Sequence, residues 1–235
     1  MSKRKRSAAQ NSSIASFKRI RTGLSRKQTS SVRRIAKKSM LSLSESINQV
    51  FIVENDQLYH NKSAYKINLL ATKQGLVDDN TANSVGTRKG DEIILKNINI
   101  RFWLSNKEDR PNVMYKGYLF WYDSAKTDPT TFDPIVWFTQ TNKMLDRINT
   151  EQISVLDSFI VRSGNSYVPT ENEHSYLATL NKSWKQKKIK YKEGTGSTKF
   201  KDLGFVVVCY DAWGTLQTDN IASMAYNIKL SFKDP

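Results

Sequence analysis

The side chains in this sequence with the clearest chemical potential are cations, and they are concentrated at one end of the chain. The first 38 residues contain 13 Lys and Arg and no acid, and the first carboxylate is Glu45. These cations are Lys3, Arg4, Lys5, Arg6, Lys18, Arg19, Arg21, Arg26, Lys27, Arg33, Arg34, Lys37 and Lys38. Ammonium and guanidinium groups that face phosphates release counterions, which gives strong, sequence-tolerant and salt-sensitive binding. The segment is therefore predicted to bind a nucleic-acid backbone without reading bases.

The remainder of the chain is almost neutral. The protein has 235 residues and a formal net charge of +15, but residues 39–235 hold 24 basic and 22 acidic side chains, a net of only +2. Blocks of like charge repel one another and resist packing. We therefore predict a basic, partly disordered arm over residues 1–45 and one folded domain over residues 46–235.

Two sections of the arm carry additional patterns. Lys3 to Arg6 is a tetrabasic cluster of the kind that serves as a nuclear-localisation signal or a nucleic-acid patch. In residues 31–47, SVRRIAKKSMLSLSESI, apolar residues recur at three-and-four spacing while the cations fall mostly elsewhere. This spacing favours a short amphipathic helix with one side for phosphate and one for protein, and a solvated basic linker is the alternative.

The sequence offers few residues that could catalyse a reaction. The two histidines, His60 and His174, have no partner at ligand spacing, and GTGS at 194–197 fits a hairpin turn better than a phosphate loop. The single cysteine, Cys209, lies in an apolar run and reads as a small core residue. We predict no catalytic residues, no metal and no cofactor.

Two weaker patterns allow a ligand. Asp123, Asp128 and Asp133 could collect round a calcium ion, which prefers oxygen ligands. Aromatic residues could stack on bases or could instead belong to the core or a subunit interface: Trp103, Trp121, Tyr122, Trp137 and Phe138.

The elements that must position these residues are strands. From residue 47 onward, short alternating segments rich in β-branched and aromatic residues are separated by Gly, Pro, Asn, Asp and Ser clusters. The predicted strands are 64–72, 91–105, 113–123, 154–162, 174–181, 184–193, 203–211 and 223–232, with a weaker candidate at NQVFIVE, and a short helix is possible within 135–145. Eight antiparallel strands with long connections predict an all-β, two-sheet jelly roll.

Alternation along the strands predicts which faces are exposed to solvent. Ile98, Ile100, Phe102 and Leu104 share one side of their strand, and Asn97, Asn99, Arg101 and Trp103 share the other. In the sixth predicted strand, Lys188, Lys190 and Lys192 line one face. That row is either a second nucleic-acid surface or a solvated edge strand whose lysines block unwanted pairing.

No segment indicates export or a membrane span. The basic start is not followed by an apolar h-region, and the longest apolar runs, such as GFVVVCY, are too short to cross a bilayer. We expect a soluble protein that is not secreted.

A basic arm, a break and eight strands together resemble the capsid proteins of small circular single-stranded DNA viruses of the circovirus and geminivirus kind, and the shells of satellite necrosis viruses. The likeness lies in GTRKGDEIILKNINIRFWLSN, YLFWYDSAKTDPTTFD, SWKQKKIKYKEG and the C-terminal YNIKLSFKDP. It covers nearly the whole chain, although its motifs are patterns of residue type.

The resemblance implies a structural protein, not an enzyme. Such a subunit assembles with copies of itself, sixty in the simplest icosahedral shell (T=1), and packages single-stranded nucleic acid, with DNA favoured over RNA. Virions and, during assembly, the host nucleus are the implied locations, with nuclear import factors as possible partners. The family's sheet of strands one, eight, three and six lines the lumen, which marks Lys66, Lys116, Lys188, Lys190 and Lys229 as candidates for the inner wall.

Two other readings stay open at this point. One is a non-viral nuclear or ribosomal protein that binds nucleic acid through a β-sheet and a basic tail. The other is an enzyme of cupin-like type, which would need more histidine and inward carboxylate than the chain offers.

Overall fold

The structure is a computed structural model that describes residues 23, 25–75, 87–162, 175–211 and 215–234. The chain divides into two units between Leu43 and Ser44. Helix α1, Arg26–Leu43, belongs to the first unit. The second unit contains the strands β1 Glu45–Tyr59, β2 Ser63–Lys66, β3 Glu92–Asn106, β4 Val113–Asp123, β5 Ser154–Arg162, β6 Ser175–Lys190, β7 Lys201–Asp211 and β8 Asn220–Asp234, with a 3-10 turn Pro129–Thr131 and a one-turn helix α2 Asp133–Val136 between β4 and β5.

The eight strands form two antiparallel sheets of four. One has the order β1-β8-β3-β6 and the other the order β2-β7-β4-β5. Strands that are neighbours in a sheet are therefore mostly distant in sequence, and the chain passes repeatedly from one sheet to the other. This is the eight-stranded jelly roll, and it confirms the predicted fold class.

The core lies between the two sheets, and in the β1-β8-β3-β6 sheet strands such as β3 and β8 alternate apolar residues that face it with polar residues on the other side. Ile98, Ile100, Phe102 and Leu104 are fully buried, as the alternation in β3 predicted. Phe102 packs edge-on against Phe205 of β7 at 5.2 Å between ring centroids, so this contact joins the two sheets. Edge-to-face aromatic pairs add stability beyond the area that they bury.

A second apolar cluster covers the other face of the β2-β7-β4-β5 sheet. Its members come from β4, from β7 and from the connection of residues 124–153: Phe120, Tyr122, Phe132, Val136, Trp137, Ile153, Val206 and Val208. Strands β4 and β7 are therefore buried on both faces, which explains the continuous apolar run FVVVC in β7. The β1-β8-β3-β6 sheet keeps its outer face accessible among the described residues.

Several predicted strand boundaries were wrong although the number of strands was right. The weak candidate NQVFIVE lies in β1, a full edge strand, whereas β2 ends at Lys66 instead of residue 72. The predicted strands 174–181 and 184–193 form one strand, β6, because the break between them is only a register shift opposite Leu95 and Asn97. Within 135–145 only the last two residues of α2 are helical.

Candidate nucleic-acid interface

Helix α1 gathers its cations on one side. At about 100° per residue, its six cations fall within an arc of about 140°. They are Arg26, Lys27, Arg33, Arg34, Lys37 and Lys38, all exposed, and no acid lies in the helix. The opposite side carries Val32, Ile35, Ala36, Met40 and Leu43. The amphipathic helix predicted from the spacing is therefore present, but it begins at Arg26 and ends at Leu43, before Ile47.

The start of α1 is defined by a reciprocal capping box. The Ser25 backbone N–H donates to Gln28 Oε1 at 2.9 Å, and the Gln28 backbone N–H donates to Ser25 Oγ at 3.2 Å. These two bonds satisfy donors that a helix start otherwise leaves without partners. The cap fixes where the basic face begins. The remaining predicted arm cations, Lys3, Arg4, Lys5, Arg6, Lys18, Arg19 and Arg21, lie outside the described residues.

Lys188 and Lys190 are both on the exposed side of β6, but a carboxylate partly neutralises them. Glu92 of β3 accepts from Lys188 Nζ at 2.6 Å and from Lys190 Nζ at 3.0 Å. These two hydrogen bonds lower the pKa of Glu92 below its usual range. The pair of lysines therefore presents a net charge of about one instead of two, a contact that sequence alone did not reveal because Glu92 is nearly a hundred residues away.

Two of the residues that the resemblance placed on the inner wall are on the wrong sheet. Lys66 lies on β2 and Lys116 on β4, both in the β2-β7-β4-β5 sheet. NQVFIVE belongs to the first strand of the structure, so the predicted strands 64–72 and 113–123 are the second and fourth strands and not the first and third. The later strands keep their predicted numbers because the predicted strands 174–181 and 184–193 are one strand. Lys188 and Lys190 on β6 and Lys229 on β8 do belong to the β1-β8-β3-β6 sheet.

Lys116 instead has a structural role inside the protein. Its ammonium group is buried and donates to the backbone carbonyls of Lys143 at 3.3 Å, Met144 at 3.1 Å and Asp146 at 2.9 Å. Burial lowers the pKa of Lys116, and Asp146 opposes that shift. The side chain therefore holds the connection between β4 and β5 against the sheet and is not available to a phosphate.

The outer face of the β1-β8-β3-β6 sheet is polar along the central strands β8 and β3, with exposed apolar side chains on the edge strand β1 and at one end of the sheet. Register across the strands gives successive rows about 7 Å apart. The first row contains Asn48, Ser231, Asn97 and Ser183, and the second contains Val50, Lys229, Asn99 and Asn181. The third row contains Ile52, Asn227, Arg101 and Thr179. The last row contains Ala225, Trp103 and Leu177. Rows that contain amides and cations thus lie next to the row with the exposed Trp103.

The residues considered for metal or acid–base chemistry are not brought together. Asp123 accepts from the backbone N–H of Ala125 at 3.0 Å, Asp128 from that of Thr130 at 2.9 Å, and Asp133 pairs with Lys143 at 2.9 Å. Within the described ranges there is no cluster of three or more His, Cys, Asp or Glu side chains that could hold a metal. The calcium hypothesis therefore finds no support in the arrangement of these three carboxylates.

His60 and Cys209 are both interior residues. His60 Nδ1 accepts the Asp211 backbone N–H at 3.1 Å, and Cys209 Sγ lies 3.3 Å from the Tyr59 carbonyl oxygen. Burial raises the pKa of the Cys209 thiol to about 12, and the side chain lies in the core, as its apolar sequence context predicted. His174 falls outside the described residues.

None of the described helices has the length and apolar character needed to span a membrane.

Comparison with solved structures gives distant likenesses to several proteins. No family model matches the chain, and no curated protein matches it either. A structure of Desmodium yellow mottle tymovirus is similar with a TM-score of 0.32 and 12% identity, over 81% of this chain and 89% of that one. A pentamer of Israel acute paralysis virus is similar with a TM-score of 0.24 and 10% identity, over 84% of this chain and 92% of that one.

A third similar structure belongs to a CocE/NonD family hydrolase from Staphylococcus aureus. Its TM-score is 0.31 with 9% identity, over 81% of this chain and 37% of that one. Because all of these scores and identities are low, the fold assignment rests on the strand order of the protein itself, and no function is carried over from these structures.

Proposed function

We propose that the protein is a viral capsid subunit whose jelly-roll body assembles with copies of itself while its basic arm, residues 1–45, packages single-stranded nucleic acid. The observation that carries this proposal is the division of charge. Thirteen cations without an acid occupy the first 38 residues, and the rest of the chain has a net charge of +2. A nearly neutral body can pack against copies of itself, whereas a polycation needs a polyanion nearby.

Helix α1 supports the proposal because it orders part of that charge. Its six cations share one face of an 18-residue helix. Exposed cations on one face bind a phosphate backbone mainly through counterion release, with no need for base contacts. This is suited to packaging, in which the same protein must accept every sequence of the genome.

The amount of charge fits a small shell. Sixty arms of 13 cations each would bring roughly 780 positive charges to the interior, each able to neutralise about one phosphate. That amount suits a genome or segment on the order of a thousand nucleotides, with incomplete neutralisation allowing up to about twice that length. The resemblance to circular single-stranded DNA viruses favours DNA as the packaged strand.

The tetrabasic cluster Lys3 to Arg6 fits an additional role as a nuclear address. Such clusters bind import factors as well as nucleic acid. Import would come before assembly and packaging after it, so one set of residues can serve both uses at different times.

Electron microscopy and light scattering of the purified full-length protein test the proposal. We expect particles of uniform diameter that contain nuclease-protected single-stranded nucleic acid. Packing sixty domains of this size gives a diameter of about 20 nm. A protein that stays monomeric at every salt concentration and protein concentration would overturn it.

A second candidate function is a non-viral nucleic-acid-binding β-sheet protein of the nucleus or ribosome. The exposure of Trp103 on an open sheet favours it, because such proteins stack bases on sheet aromatics. The same scattering experiment separates the two, since a protein of this kind binds oligonucleotides without forming shells.

A further inference from the structure

Trp103 is set apart from the other aromatic residues considered for base stacking by its exposure. It is 53% exposed, whereas Trp121 is 7% and Trp137 1% exposed, and Tyr122 is also buried. Phe138 is exposed as well, but it lies in the connection between β4 and β5. Trp103 is therefore the member of this group that can offer a ring to a ligand from the sheet itself.

The ring of Trp103 is held in position before any ligand arrives. Its Nε1–H donates to Ser105 Oγ at 2.9 Å, which orients the indole along its own strand. Ala225 and Leu177 lie opposite it on the neighbouring strands, and the groove beside it has a volume of about 220 Å³. A groove of this size is smaller than most small-molecule pockets and suits one planar ring system.

The surroundings favour a nucleic-acid strand over a second protein as the occupant. Arg101 lies two residues from Trp103, about 7 Å along the strand, and Lys229 lies in the next row. Asparagine amides beyond them can donate to and accept from base edges. Protein–protein interfaces are depleted of lysine at their centres, and here an exposed lysine lies on the central strand β8. Glu54 is the single carboxylate among the residues that line the groove.

We infer that the outer face of the β1-β8-β3-β6 sheet contains a nucleobase-binding site, in which an unpaired base stacks on Trp103 while Arg101 and Lys229 contact the adjoining phosphates. The inference rests on the proposed function and deepens it, since it adds a stacking contact on the body to the electrostatic contacts of the arm. Every base has a stacking face, so the site tolerates all sequences.

Fluorescence anisotropy with the full-length protein and a labelled oligothymidylate tests the site. Trp103→Ala should weaken binding about tenfold at each salt concentration, because the loss of one stacked base costs about that much. The dependence of log K on log salt should keep its slope, since tryptophan carries no charge. Trp103→Phe should restore most of the affinity, and Phe138→Ala, which removes an equally exposed ring elsewhere, should have no effect.

A charge variant and a crosslink complete the test. Lys229→Gln should reduce the salt slope by about 0.7, the value for one phosphate contact on a single strand. Irradiation of an oligonucleotide that contains iodouracil should attach it to the peptide with Trp103, as located by mass spectrometry.

The outcomes distinguish this inference from the proposed function. If Trp103→Ala binds and crosslinks like the wild type while particles still form, the stacking site is wrong and the capsid proposal stands. If Trp103→Ala stops assembly but leaves oligonucleotide binding unchanged, the groove is a contact between subunits and the inference is also wrong. If the wild-type protein neither binds oligothymidylate nor forms particles, both proposals fail.

Discussion

Glu92 sets how much positive charge the β6 edge presents. Its carboxylate contacts the ammonium groups of both Lys188 and Lys190, at 2.6 Å and 3.0 Å. Exposed ion pairs of this kind add little to stability, because solvent and salt screen them. We expect their effect to be on the proposed binding of nucleic acid, since phosphate oxygens would compete with Glu92 for the same donors.

Glu92→Gln should therefore strengthen nucleic-acid binding. The amide retains the shape of the side chain but releases both lysines, and the slope of log K against log salt should become steeper by up to about 0.7. Binding of a labelled single strand over a salt series measures this. Glu108→Gln makes the same charge change at another exposed position. Equal effects of the two variants would mean that net charge alone matters and that Lys188 and Lys190 are not a binding site.

Gly117 is required in β4 because an aromatic ring occupies the space beside it. A Cβ atom at this position would lie 2.3 Å from Phe159 Cε1 of β5. Gly117→Ala should lower the free energy of unfolding by about 1–3 kcal/mol, the usual cost of overpacking. Urea denaturation of the dissociated subunit measures it.

Gly90→Ala is the matched control for that change. Its added Cβ atom would meet nothing closer than 3.9 Å, so its stability should remain near that of the wild type. If Gly117→Ala is as stable as Gly90→Ala, Phe159 can move away and the close packing of β4 on β5 has no energetic importance.

At the scale of elements, α1 and the open sheet are the two proposed nucleic-acid surfaces, and they differ in kind. The helix offers six cations and no aromatic residue, whereas the sheet offers amides, Arg101 and Lys229 next to an indole ring. The affinity of a row of cations for nucleic acid depends strongly on salt concentration, whereas the affinity of a surface that also stacks bases depends on it only partly. The two contributions can therefore be separated by a salt series.

Replacing four cations of α1 should remove a large share of the salt dependence. In the variant Arg33→Gln, Arg34→Gln, Lys37→Gln and Lys38→Gln, the slope should fall by about 3, at about 0.7 for each phosphate contact. Glutamine is a good helix former, so circular dichroism should show the helix retained. A body variant with the same loss of charge is the control: Lys107→Gln, Arg147→Gln, Lys199→Gln and Lys201→Gln, all exposed. An equal fall in both variants would show that α1 has no special role.

The corner between β1 and β2 should be sensitive to acid. Burial lowers the pKa of His60 below 6.5, with Asp211 and Asp219 opposing this and Arg110 adding to it. The folded protein thus binds a proton less readily than the unfolded chain. The stabilising effect of the neutral imidazole is complete above about pH 6.5 and declines as the pH falls from there. Protonation of Nδ1 also removes the acceptor of the Asp211 N–H.

Thermal unfolding of the subunit at a series of pH values between about 5 and 8 checks this expectation. The wild type should lose stability below about pH 6.5, and His60→Asn, which keeps an acceptor atom, should show a flatter profile. A wild-type profile that is flat over this range would contradict the role assigned to His60.

At the scale of the whole molecule, stability and packaging are assigned to different parts of the chain. Among the described residues, the fully buried members of the core cluster between the sheets begin at Leu58. A chain of this length buries enough surface in one domain to fold without help from an arm. The two properties should therefore be separable by truncation.

Deleting residues 1–38 should leave the melting temperature of the dissociated subunit within a few degrees of the full-length value, because the core is intact. The same deletion should abolish the nuclease-protected nucleic acid in particles, since all 13 arm cations are removed. Calorimetry and the absorbance ratio of purified particles measure the two effects. If the truncated protein packages as much nucleic acid as the full chain, the arm is not the packaging element.

Local pattern was enough to predict the fold class of this protein. Acid-free charge in the first 38 residues, alternation in β3 and β8 and turn residues between strands predicted a basic arm and an eight-stranded jelly roll. Strands β4 and β5 were predicted at their observed boundaries, 113–123 and 154–162. Such features depend on residues close together in sequence, whose period and charge can be read directly.

Only the tertiary structure decided which surfaces are available. Alternation places Trp103, Arg101 and Asn99 on one side of β3, but only the packing of distant segments decides that Trp103 and Arg101 are exposed in the part of the chain that the structure describes. The 124–153 connection covers the other sheet, which buries Trp137 and Lys116, and Glu92 reaches Lys188 and Lys190 across a strand pair. These outcomes follow from contacts between segments far apart in sequence, and a local pattern contains no information about which partner each face will find.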